Sequence, residues 1–214
     1  MKIFDEKNAT ADELWEFCLL EYQSTNPFTK RLIDNFYNKI KKIIANFDTD
    51  CRILEVGCGA GESSRKIFEM LAGRYFEASE FDERYVKKLL ELNLPYKISQ
   101  EDVNCMHRKD NEFDCVIFLE VLEHISDYEQ ALKELFRVSS KYVLISVPNE
   151  PLWRLLNIAR FKYLKYAGNT PGHINHWSPS KLKKLLGKYG KVIKIESSLP
   201  WIISLTEVKK NNID

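Results

Sequence analysis

The residues most able to do chemistry lie in the run Ile53-Leu54-Glu55-Val56-Gly57-Cys58-Gly59-Ala60-Gly61 and at Glu80. The run follows a strand pattern and opens a helix pattern. Glycines there let the backbone turn tightly and approach a ligand with no Cβ in the way. Glu80 falls about 20 residues past the glycines, where a carboxylate can accept hydrogen bonds from both hydroxyls of a ribose. A dinucleotide fingerprint needs another glycine at position 62, which is Glu62. A carboxylate in the first helical turn repels a pyrophosphate, which needs that positive helix end for itself. Glu55 adds negative charge beneath the loop, and no P-loop lysine follows. The pattern predicts a cofactor with no phosphates and some positive charge. S-adenosylmethionine, with its sulfonium and ammonium, meets that description. With no ligand present, Glu80 is expected to be unpaired, so that removing it costs the empty protein nothing.

Further residues suit an acceptor side. His124 follows an apolar strand pattern, and an imidazole titrates near neutrality, as a general base requires. Glu120, at the same strand end, is expected to orient the cofactor or its surroundings. Gly172-His173-Ile174-Asn175-His176-Trp177-Ser178 carries two histidines. A metal would need a further ligand at suitable spacing, and none is evident, so no metal is expected. Hydrogen bonding that ties this segment to the next helix is the plainer role for both histidines. From 152 to 166 the chain is apolar and basic, with Trp153, Leu155, Leu156, Ile158, Phe161, Tyr163, Leu164 and Tyr166 among Arg154, Arg160, Lys162 and Lys165. It reads either as a packed cover helix or as a lid for a hydrophobic or lipid-linked acceptor, in peripheral contact with a membrane surface.

These residues require a scaffold, and the hydrophobic pattern supplies one. Helical periodicity is expected over 12–22, through Leu14, Trp15, Phe17, Cys18, Leu19 and Tyr22, with Asn26-Pro27 as its break. A second helix is expected over 29–47, and the two are read as an N-terminal cap over 1–48. From Cys51 short strands and helices alternate: strands at 52–56, 75–79, 95–99, 113–119 and 142–147, helices at 62–72, 83–92 and 128–138. Such alternation implies a parallel sheet covered on both faces. The cofactor core is thus placed at 51–148, and a substrate-side insertion at 149–177. The remainder, 178–208, holds a helix at 179–189 and strands at 191–197 and 202–208. The 214 residues suffice for one domain with a full core. Lys+Arg is 32 and Asp+Glu 31, so no global charge favours nucleic acid or membrane. The five cysteines are scattered and read as buried thiols of a reducing compartment. No secretory signature follows Met1, and no run approaches the ~18 apolar residues of a span. A cytoplasmic location is expected.

As a set, these motifs resemble the class I S-adenosylmethionine-dependent methyltransferases. Glu55-x-Gly57-x-Gly59-x-Gly61 is similar to their first motif and Glu80 to their acidic ribose ligand. Gln100-Glu101-Asp102-Val103 resembles the segment whose acidic residue meets the adenine amino group. The run from Phe113 to Ile125, with Leu119-Glu120-Val121-Leu122-Glu123-His124, is similar to the ubiquinone and menaquinone methyltransferase subgroup, and Ser146-Val147-Pro148-Asn149 matches in order. The resemblance implies an α/β, doubly wound, seven-stranded sheet of order 3-2-1-4-5-7-6 with an antiparallel last strand. It implies cofactor contacts at Glu55, Gly57, Cys58, Gly59, Gly61, Glu80, Phe81, Asp102, Val103, Leu119 and Glu120, and acceptor contacts at Trp153, His173 and His176. The acceptor class it implies is a small or lipid-like molecule, ranked above RNA or protein; a non-catalytic binder of the same cofactor is the remaining alternative. The glycine-rich turn usual before the fifth strand is Ser139-Ser140-Lys141 here, which leaves that connection open.

Overall fold

The computed structural model describes residues 9–13, 15, 16, 26–159, 161, 163–170 and 172–209. Seven strands form one sheet in the order β3-β2-β1-β4-β5-β7-β6. They are β1 Ile53–Val56, β2 Phe76–Glu80, β3 Lys97–Gln100, β4 Phe113–Leu119, β5 Ser139–Pro148, β6 Gly190–Ser198 and β7 Trp201–Val208. β7 alone runs antiparallel to its neighbours β5 and β6. This is the Rossmann-like methyltransferase topology, and it reverses strand order between β1 and β4, where open α/β sheets bind their ligands.

The period-two alternation of the strands divides the core. Leu54, Val56, Val116, Phe118, Val143 and Ile145 face one side, packed by helices α4 Tyr128–Val138 and α6 Pro179–Leu186. Ile53, Cys115, Ile117, Leu119 and Leu144 face the other, packed by α1 Pro27–Ile44, α2 Glu62–Met70 and α3 Glu83–Glu91. Burial on both faces explains why the central strands read as continuous apolar runs.

Helix α1 departs from expectation at its start. Asn26-Pro27 begins it, two residues ahead of the expected start. The Asn26 side chain accepts from the amides of Phe28 and Thr29, and Pro27 takes the first helical position, where its missing N–H costs nothing. Its stripe Phe36, Tyr37, Ile40, Ile43 and Ile44 is buried on the sheet, so α1 is a layer of the core. Lys39 Nζ donates to the Ser197 carbonyl at 2.6 Å. Most of the expected 12–22 helix lies outside the described residues. Within it, Trp15 packs 6.3 Å from the Tyr85 ring on α3, and Lys88 pairs with Asp12.

Other boundaries moved for local reasons. β5 starts at Ser139, directly after α4, with no glycine turn at all. Ser139 Oγ donates to the Tyr142 carbonyl at 2.6 Å, and the β4–β5 register shifts between Phe113 and Cys115 to absorb the tight entry. The insertion after β5 contains helix α5 Glu150–Ala159 and a 3-10 turn Leu164–Tyr166. Among the described residues no helix is long and apolar enough to cross a membrane.

Candidate functional site

The glycine run leaves β1 at the strand-order reversal. Gly57, Gly59 and Gly61 all take positive φ, at +73°, +54° and +80°. A Cβ on Gly57 would stand 2.7 Å from Val121, and one on Gly61 2.7 Å from Leu89. Both positions therefore require glycine for conformation and for space. The loop is held from below, where the amides of Gly57 and Cys58 donate to the Ser79 carbonyl at 2.8 and 3.0 Å. Gly61 caps α2 with no side-chain bond, and Glu62 occupies the first turn. The Glu62 carboxylate pairs with Arg65 at 3.0 Å within that same turn.

Glu80 ends β2 beside the loop, but it is not unpaired. Its Oε2 accepts from the Gly59 amide at 2.7 Å, and its Oε1 from Phe81 and Asp82 at 2.8 and 3.0 Å. The expectation of an idle carboxylate is corrected: Glu80 ties the glycine loop to the β2 end even without ligand. Burial raises its pKa, and these three amides oppose the rise. Glu55 lies deeper, 1% exposed, and accepts from Ser64 Oγ at the start of α2. Burial pushes it up to about 7, against the pull of the Ser63 and Ser64 hydroxyls.

The rim is built from neighbouring strand ends. Phe81 is 66% exposed next to Glu80. Asp102, exposed just past β3, accepts from the Asn104 amide at 2.8 Å. Glu101 underneath is clamped by Arg108 Nε at 2.9 Å and the His107 amide at 2.9 Å, which fixes that loop. Cys58, Val103 and Leu119 are buried in the apolar cores beside the rim. Glu120 turns the chain out of β4 at φ +58°, a conformation that costs energy in a non-glycine residue and recurs at functional sites. Ser146 Oγ donates to its carboxylate at 2.7 Å, and burial raises its pKa to about 8.

Beyond the ends of β4 and β5 the structure joins residues far apart in the chain. His124 ends a 3-10 turn, Leu122–His124, and its ring lies 5.0 Å from that of His173. Trp153 stacks on His173 at 6.4 Å, and its Nε1 donates to Thr170 at 2.8 Å. His176 stands apart, bonded to Asn169 Oδ1 at 3.0 Å. It lines a cavity of about 220 Å³ with Glu150, Arg154, Trp177, Ser178 and Lys181. Desolvation lowers the His124 pKa to about 4. Its side chain is nonetheless 44% exposed, so water screens part of that effect. Glu123, Glu150 and Asn175 were not singled out in the sequence, yet all three build this corner. Asn175 Nδ2 donates to the Ile125 carbonyl at 2.7 Å, and the amides of Ile174 and Asn175 donate to the Glu123 carbonyl. The sequence signal for Glu123 and Glu150 is proximity to the ends of β4 and β5, and for Asn175 its place between His173 and His176.

Comparison with known proteins agrees with this geometry. The PH0226 protein of Pyrococcus horikoshii OT3 superposes with a TM-score of 0.70 at 16% identity, over 92% of this chain and 99% of that one. Magnesium protoporphyrin IX methyltransferase of Synechocystis PCC 6803, with bound SAH, gives 0.67 at 18% identity, over 94% and 96%. At such identities the likeness is one of fold. Sterol 24-C-methyltransferase erg6 of Aspergillus fumigatus is 33% identical over 92 residues, which are 41% of this chain and 24% of that protein, so this chain matches about a quarter of the sterol enzyme's length. Residues 27–193 match the family described as a methyltransferase domain. With its glycine cradle, its acidic β2 end and its seven-stranded sheet, the chain belongs to that family, among the class I S-adenosylmethionine-dependent methyltransferases.

Proposed function

We propose that this chain transfers the methyl group of S-adenosylmethionine to a small, apolar or lipid-linked acceptor. One observation carries the acceptor class. The insertion after β5 leaves Leu155, Ile158, Phe161, Leu164 and Tyr166 exposed together, Phe161 by 83%. Arg154 and Lys165 flank them. Exposed apolar residues within a basic segment suit a hydrophobic ligand or peripheral contact with an anionic membrane. Two relatives support the reading by name, one methylating a sterol and one a magnesium porphyrin. The Phe113–Ile125 run favours the ubiquinone and menaquinone subgroup within this class.

The cofactor supplies an electrophilic methyl on sulfur; the chain's residues bind and orient. Glu80 would take the ribose hydroxyls, and Phe81 and Asp102, both exposed at the rim, would hold the adenine. Glu55, when ionised, would place negative charge under the cationic end. Trp153, His173 and His176 shape the acceptor side, and His124 offers a hydrogen-bond acceptor rather than a strong base. Positioning of this kind can supply roughly 7–11 kcal/mol of barrier reduction.

Two outcomes check the proposal. S-adenosylmethionine or its demethylated product should raise the melting temperature, by about 2.7 kcal/mol of stability at a hundredfold excess over Kd, whereas NAD and ATP should not. A panel in which NAD stabilises best would overturn the cofactor assignment. Replacing Leu155, Ile158 and Phe161 together by Ser should leave cofactor affinity unchanged and cut transfer to a lipid extract at least tenfold. Each such side chain contributes about 1 kcal/mol or more of apolar contact. Labelled methyl recovered in an RNA or protein fraction instead would replace the acceptor class.

A further inference from the structure

Beyond the carboxyl ends of β4 and β5, Glu123, His124 and His173 converge so that one ligand atom from each lies within 4.8 Å of the others. Both histidines spend Nδ1 elsewhere. His124 Nδ1–H donates to the Gly172 carbonyl at 3.0 Å, and His173 Nδ1–H donates to Glu150 Oε1 at 2.8 Å. Each ring is thereby held in the tautomer that presents a bare Nε2 lone pair. A carboxylate behind one histidine and a backbone carbonyl behind the other are the usual supports of metal-bound imidazoles. Glu123 is 1% exposed, and its Oε2 has no hydrogen-bond partner among the described residues. A buried carboxylate oxygen without a donor is costly, and a cation removes that cost. A self-contained hydrogen-bond network would have paired the His124 ring with this carboxyl group; here His124 Nε2 stands 4.0 Å from Glu123 Oε1, beyond hydrogen-bond distance.

The ligands sit on segments that are already locked together. The amides of Ile174 and Asn175 hold the Glu123 carbonyl, both at 3.0 Å. Gly172, whose carbonyl orients His124, adjoins His173, so the 172–175 segment both supplies a ligand and aligns another. We infer that Glu123, His124 and His173 form a site for a divalent first-row transition ion, with at least one coordination position open. Two imidazoles and one carboxylate suit Zn²⁺, Co²⁺ or Mn²⁺, whereas Mg²⁺ and Ca²⁺ prefer all-oxygen sets. At metal–ligand distances of about 2.1 Å the donor atoms would draw closer than they stand now, a shift within reach of side-chain rotation. The expectation of no metal weighed His173 with His176; the fold instead brings His173 to Glu123 and His124, and His176 lies outside the cluster. The inference is independent of which molecule receives the methyl group.

Calorimetric titration of the chelator-treated full chain with Zn²⁺, and the visible spectrum on adding Co²⁺, test the site. One ion per chain should bind at micromolar Kd or tighter, and Co²⁺ should give the intense d–d bands of a four- or five-coordinate nitrogen-containing site. Glu123→Gln, His124→Ala and His173→Ala should each weaken binding at least about tenfold. His107→Ala, at an exposed histidine elsewhere on the surface, should bind as the parent does. Glu123→Gln keeps size and shape, so it decides the matter if His173→Ala fails to fold. Absence of binding, the weak bands of an all-oxygen site, or loss of affinity in His107→Ala but not in Glu123→Gln would each overturn the inference.

Discussion

Glu80→Ala is expected to weaken S-adenosylmethionine binding by more than tenfold and, separately, to destabilise the empty protein. The first effect comes from the ribose. Hydrogen bonds to a charged acceptor are worth about 1.5–3 kcal/mol, and losing ~1.4 kcal/mol is a tenfold change in Kd. Glu80→Gln keeps one acceptor oxygen and should lose about tenfold. The second effect comes from the backbone. In the empty protein Glu80 already receives the amides of Gly59, Phe81 and Asp82. An ionised carboxylate offers about four lone-pair sites, so three amides leave little spare capacity for a diol. Binding should therefore loosen one of the amide contacts, and Phe81 and Asp82 share the same oxygen. Without the carboxylate, the Gly59 amide loses its acceptor inside the loop, at about 1–3 kcal/mol. Part of this returns because a buried charge is removed as well. Calorimetric Kd and ligand-free denaturant unfolding, measured on the same samples, separate the two effects. An unchanged Kd beside a destabilised empty protein would make Glu80 a structural clamp and move the ribose contact to Asp82.

That double role marks how far the sequence could be read. The glycine loop was legible because both of its requirements, positive φ and close approach, are local and leave glycines behind. The acidic strand end was legible because a βα unit has a nearly constant length. Strand alternation was legible because buried parallel strands repeat apolar residues over short runs bounded by turns. What Glu80 does without ligand was not legible, since the three amides that hold it belong to backbone, which has no residue code. The start of β5 at Ser139 was missed because serines normally signal a turn, and only the neighbouring β4 pulls that stretch into the sheet. The acceptor corner was hidden for a different reason. Glu123 and His173 lie on opposite sides of α4, β5 and α5 in the chain, and the three-dimensional return of the insertion to the β4 end is what joins them. Asn26-Pro27 carries a second message besides the helix break read from it, because the same pair that stops one helix can cap the next.

The contribution of Glu55 to the stability of the empty protein is expected to fall as pH rises from about 4.5 to about 7. Its carboxyl is buried against α2 with a folded-state pKa of about 7, above its ordinary value of 4.5. Below pH 4.5 the group is protonated whether the chain is folded or not, and its contribution to stability is complete. Between the two values the unfolded chain releases the proton while the folded chain retains it, so the contribution drains away. Above pH 7 both forms are ionised, and the slope ends. A gap of this size corresponds to something on the order of 3 kcal/mol. Glu55→Gln keeps the Ser64 hydroxyl as a donor to its amide oxygen and has no proton to lose. The variant should match the parent near pH 4.5 and exceed it by a growing margin up to pH 7. Cofactor binding should show the opposite trend. A sulfonium and an ammonium above the loop favour the ionised carboxylate, so affinity of the parent should rise across the same interval. The Gln variant should bind more weakly and with a flatter pH profile. Urea unfolding and calorimetry at half-unit steps from pH 5 to 8 measure both curves. A stability difference between parent and variant that does not change with pH would mean that Glu55 keeps its charge in the core, and that its pairing with Ser64 outweighs the burial.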